Sequence, residues 1–106
     1  MKTRYDRLLE ELETTGFGKM RTSGGSMTPI FPASGCTMHY QRQEEYEVGD
    51  IVFCKVRGRW IDAHLITRKG EQGYLISNNH GHDNGWTRKV FGRVVRAEFG
   101  QTVKEF

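Results

Sequence analysis

The sequence predicts a single small, mainly β domain with a short helix at its N-terminus. Three observations predict it. The chain has 106 residues, which is one domain's worth. Tyr5, Leu8, Leu9 and Leu12 recur at helical spacing with acids and bases between them. Beyond residue 50, runs rich in β-branched and aromatic residues alternate with Gly-containing breaks, the pattern of strands joined by hairpins.

The apolar stripe sets a helix over residues 5–13, with Asp6 suited to the positive end of its dipole and Gly16 suited to its C-terminal cap. Residues 1–20 are thus helix plus connector, and residues 21–106 are the β domain. Residues 21–35, RTSGGSMTPIFPASG, are a Ser, Thr, Gly and Pro loop. Strands are expected at 51–56, 60–67, 74–77 and 90–99, with breaks at 57–59 and 69–73. The polar stretch SNNHGHDNG is expected to separate the last two strands.

Composition excludes several function classes. Hydrophobic residues at 36% and charged residues at 27% are too apolar for a disordered tail and too polar for a membrane protein. No apolar run approaches the roughly 20 residues that span a bilayer. The start, MKTRYDRLLEELE, carries charges where a signal peptide puts its apolar stretch. A soluble, cytoplasmic protein is therefore expected, with Cys36 and Cys54 as free thiols. The net charge of +3 is scattered, so nucleic acid is not the expected partner, although Arg57, Arg59, Trp60, Arg88 and Lys89 have the residue types of a basic-aromatic patch. His80, His82 and Asp83, with His64 or His39, have the residue types of a zinc site, but no Cys pair supports one. No metal or other cofactor is expected.

Three places carry candidate chemistry: Ser26 in the Gly-rich loop, His64 within a strand, and the 80–83 cluster. The words around them form a pattern. SGGSMTPIF resembles the nucleophile segment of the signal peptidase and LexA-type repressor superfamily. YEVGDIVFCKVRGRWIDAHLITR resembles the next two strands of the archaeal and endoplasmic-reticulum type of signal peptidase. ISNNHGHDNGW followed by VFGRVV is similar to that family's third block. The order and spacing agree over roughly residues 22–96.

The resemblance implies a coiled β-sheet domain of the signal-peptidase/LexA-like fold. It implies Ser26 as nucleophile, His64 as general base and Asp83 as the aspartate that orients the base. The Ser26 backbone N–H, in a loop loosened by Gly24 and Gly25, would open an oxyanion hole. The chemistry is coherent, because a Ser hydroxyl needs a base and a neutral His serves near pH 7 with little adjustment. The chain departs from the family at Ile76-Ser77, where a Gly-Asp is usual, and at Leu65, where Arg is usual. The family's membrane anchor is not expected here. Self-cleavage is not expected, because the 25 residues before Ser26 hold no Ala-Gly or Cys-Gly pair. The expected activity is a soluble serine endopeptidase acting on a peptide or protein in trans. The alternative is a catalytically silent peptidase-like binding or dimerisation module.

Overall fold

A computed structural model describes residues 1–22, 27–28, 30–31 and 35–106. The helix α1 spans Arg4–Thr15, one residue or two longer at each end than its apolar stripe. A capping box explains its start: the Thr3 hydroxyl accepts from the Asp6 N–H, and the Asp6 carboxylate accepts from the Thr3 N–H. The Thr3 N–H and then the Thr3 hydroxyl, both donating to the Asp6 carboxylate, hold that carboxyl below its usual range. Gly16 closes the helix in the left-handed conformation, φ 84°, its N–H donating to Leu12 O.

Among the described residues there are eight strands: β1 Phe17–Thr22, β2 Cys36–Gln41, β3 Ile51–Val56, β4 Arg59–Gly70, β5 Gly73–Ser77, β6 Asp83–Thr87, β7 Val90–Phe99 and β8 Thr102–Glu105. They form one antiparallel sheet in the order β1-β2-β7-β3-β4-β5-β6, with β8 also on β7. Four strands lie outside those the sequence predicts. β1 runs from the connector into the start of the loop, β2 follows the loop, and their pairing runs from Phe17–Gln41 to Thr22–Cys36. β6 occupies the second half of the polar stretch, and β8 is exposed throughout. β1, β6 and β8 lie at sheet margins and carry Gly or polar residues, so partner strands decide their conformation. β2 is interior and alternates buried Cys36, Met38 and Tyr40 with part-buried Thr37, His39 and Gln41, a local strand pattern.

The sheet curls until β6 returns to β3. Thr87 Oγ1 donates to Lys55 O at 2.6 Å, and the Lys55 N–H donates to Lys89 O at 2.9 Å. Curling creates two cores. One, inside the curl, gathers Val52, Cys54, Val56, Ile66 and Ile76. The other lies under α1 and holds Leu8, Leu12, Met38, Tyr40, Phe53 and Val94. Two glycines let the helix settle: a Cβ on Gly18 would stand 2.7 Å from Leu8 Cδ1, and one on Gly92 would stand 3.1 Å from Leu12 Cδ1. Tyr5 stacks on Trp60 and Trp60 on Phe53, each pair at 5.4 Å between ring centroids. Full burial of Leu8 and Leu12 contributes about 1.5–3 kcal/mol each. No helix among the described residues is long and apolar enough to cross a membrane.

Two features of this frame aim the candidate site. The turn before β3 is fixed by Gly49, φ 98°, whose N–H donates to Ile66 O, and by Asp50, whose carboxylate accepts from the Glu47 N–H. In the β3–β4 pair, Val52 faces His64 and Cys54 faces Ile61, so β4 carries one extra residue opposite Phe53. Such a bulge re-aims the side chains on either side of it.

Candidate active site

His64 lies on β4 directly across from Val52 and is half-buried. Its Nδ1–H donates to the Ala63 carbonyl at 2.7 Å. A carbonyl only accepts, so this bond assigns the proton to Nδ1 and leaves a lone pair on Nε2 when the ring is neutral. Burial pulls the His64 pKa below 6.5. The Ala63 bond and the Asp62 carboxylate act the other way, and His82 adds to the lowering. The ring is therefore neutral at physiological pH, with its accepting nitrogen defined. Asp62 is itself held, its carboxylate accepting from Arg4 at 3.0 Å and its carbonyl from the Tyr40 hydroxyl at 2.9 Å.

Asp83 opens β6 and does not bond His64. Its Oδ1 accepts from the Ser77 hydroxyl at 2.6 Å, and Ser77 Oγ lies 3.0 Å from Thr67 Oγ1. The register explains this. Leu65 pairs with Ser77 and Ser77 with Asp83, so the carboxylate belongs to the row of Leu65. His64 is one residue away and leaves the strand on the opposite side. The orienting contact implied by resemblance is thus made by Ala63, and Asp83 closes a hydroxyl chain with Ser77 and Thr67.

The loop between β5 and β6 is organised by Asn78, whose side-chain oxygen accepts from the N–H groups of His80 and His82 at 2.8 and 3.0 Å. Its own N–H donates to His82 O, closing the turn around Gly81. Asn79 then reaches across, donating from Nδ2 to Thr28 O at 2.8 Å, while His80 Nε2 lies 3.1 Å from Thr28 Oγ1. On either side of Thr28, Met27 and Phe31 are buried in the core under α1. One loop therefore grips Thr28 and begins at Ser77, which pairs with Leu65, the residue after His64.

Ser26, Gly24 and Gly25 lie outside the described residues. Sequence reasoning missed the roles of Ser77, Asn78 and Asn79. The signal for the loop was present, since an Asn followed three residues later by Gly is a side-chain-capped turn. Ser77 had no local signal, because its partner is set by strand register.

Among the described residues, no group of three His, Cys, Asp or Glu side chains converges as a metal site. His39 instead pairs with the Glu98 carboxylate, across β2 and β7. Compared with known proteins, the chain matches no family model, no curated protein and no solved structure.

Proposed function

We propose that the chain is a serine endopeptidase of the signal-peptidase-like type, acting on a peptide or protein substrate in trans. Ser26 is the nucleophile and His64 the general base, on a sheet of the signal-peptidase/LexA-like kind. The observation that carries this reading is the loop at 78–82. It ties Thr28, two residues beyond Ser26, through Asn79 and His80 to the end of β5, where Ser77 pairs with Leu65 beside His64.

In the reaction, His64 Nε2 takes the Ser26 Oγ proton as the oxygen attacks the substrate carbonyl. The imidazolium then gives that proton to the departing amine, and water attacks the acyl-enzyme with the same base. The Nδ1–H bond to Ala63 supports this assignment, because it holds the tautomer that leaves Nε2 free to accept. The Ser26 N–H, with Gly24 and Gly25 beside it, serves the oxyanion. Asp83 is a positioning residue that fixes the start of β6 through Ser77.

A fluorophosphonate probe tests the reading. The protein is expected to label, Ser26→Ala to give no label, and His64→Ala to label about two to four orders of magnitude more slowly with an unchanged far-UV spectrum. Equal labelling of Ser26→Ala sinks the assignment. A parent protein that neither labels nor cleaves an unfolded protein substrate is a binding or dimerisation module.

A further inference from the structure

The curl of the sheet is closed at one end of β6 only. Thr87 and Lys89 are zipped to Lys55, whereas nearer the start of β6 a cleft of about 450 Å³ separates His82, Asp83 and Asn84 from the β3–β4 hairpin. Val56, Trp60 and Ile61 give that cleft apolar walls, and Arg57 and Arg59 give it charge. Among the described residues, neither guanidinium has an ion-pair or hydrogen-bond partner. Asp83 is the one carboxylate lining the cleft, and its Oδ1 is already taken by Ser77.

Three further observations concern what the cleft would hold. Asn84 Oδ1 is buried and, among the described residues, has no hydrogen-bond partner, so the lining lacks a donor. β6 ends the sheet order, so its outer backbone groups are a template for an added extended chain. Arg57 sits at φ 51° in a turn with Gly58 at φ 78°, a position that favours Asn or Gly. Its guanidinium lies against Gly85, where a Cβ would stand 3.4 Å from Nε and 3.6 Å from Cζ. The hairpin thus holds an arginine in a disfavoured backbone conformation and presents it over β6.

We infer that this cleft binds an extended peptide segment carrying an acidic side chain. The acid meets Arg57 and Arg59, and a donor of the peptide satisfies Asn84 Oδ1. The inference rests on the peptidase reading for the nature of the occupant. It makes the cleft, which shares His82 with the loop that grips Thr28, a subsite that selects acidic substrates.

The test measures binding to full-length Ser26→Ala protein by fluorescence anisotropy. The probes are a fluorescein-labelled octapeptide of alternating Ala and Glu and its Ala-Gln counterpart. At low salt the Glu peptide is expected to bind about tenfold or more tightly than the Gln peptide, with the difference shrinking as salt screens the charges. Arg57→Gly and Arg59→Gln should each weaken the Glu peptide about tenfold and leave the Gln peptide unchanged. Arg57→Gly relieves the left-handed turn, so lost folding cannot mimic the effect. Lys104→Gln on β8 should change nothing. Equal binding of the two peptides, or indifference to both arginines, overturns the inference. So does tighter binding of a single-stranded oligothymidine, which would make the occupant a nucleic acid. Probe labelling of the parent at Ser26 is scored separately. Labelling without a Glu preference removes only this inference, and a Glu preference without labelling removes the peptidase reading and keeps the peptide site.

Discussion

The Ser77 hydroxyl donates to Asp83 Oδ1 at 2.6 Å, and this bond assigns the Asp83 carboxylate to the sheet instead of to His64. Ser77 is buried at 2% exposure, so its hydroxyl could not be left without a partner at small cost. Ser77→Ala should therefore destabilise the fold by about 1–3 kcal/mol in urea denaturation, since a charge-assisted bond is lost. Asp83→Asn should lower turnover by no more than about tenfold. If Asp83 held the tautomer of His64, the loss would approach four orders of magnitude.

The pH dependence follows from the lowered His64 pKa. A base whose folded pKa lies below its unfolded value of 6.5 is held neutral by the fold. Its contribution to stability is whole above about pH 6.5, declines as pH falls below that, and is lost as pH passes through the folded value. The acid limb of probe labelling should accordingly have its midpoint below 6.5. His82→Ala removes the smaller of the two influences that lower the His64 pKa and should move that midpoint slightly upward. Imidazole proton shifts followed by NMR titration check both signs, and a midpoint that falls in His82→Ala would contradict that influence.

Asn79 is the mechanical tie between the β5–β6 loop and Thr28. Asn79→Ala should slow Ser26 labelling several-fold while leaving the His64 titration where it is. A shifted His64 titration with unchanged labelling would mean that the tie serves the base and not the nucleophile segment.

Gly92 is the helix's landing place, with Leu12 Cδ1 and Tyr40 Cβ at 3.1 and 3.2 Å from where a Cβ would stand. Gly92→Val should cost about 1–3 kcal/mol through overpacking, seen as a lower thermal midpoint. Gly16→Ala meets no neighbour within 4 Å, so its cost of about 1–2 kcal/mol is backbone strain alone.

Burial pushes the Cys54 thiol up to about 12 and raises Cys36 as well. Neither should react with a disulfide reagent at pH 8 in the native state within minutes, and both should react on unfolding. Rapid labelling of the native protein would show that these positions open to solvent.

The sequence by itself determined the helix, four of the strands and the turn at Arg57-Gly58. In each, the signal is local: an apolar stripe at helical period, alternation of β-branched residues, or a Gly where the backbone turns left. It also singled out His64 and the polar stretch at 78–83 as candidate chemistry. Only the tertiary structure decided that β1, β6 and β8 are strands, since strands at a sheet margin with polar or Gly residues take their conformation from a partner. Cys36–Gln41, by contrast, alternates apolar and polar residues as a strand does. Only the tertiary structure decided where the acid of the 80–83 cluster points. Strand register sends neighbouring side chains to opposite faces, so Asp83 turns to Ser77 in the row of Leu65 and away from the face of His64. The cleft beside Arg57 was equally invisible, because it is the gap left where a curled sheet closes at Thr87 and stays open at Asn84. A pairing between residues far apart in the chain leaves no mark on the local pattern of either segment.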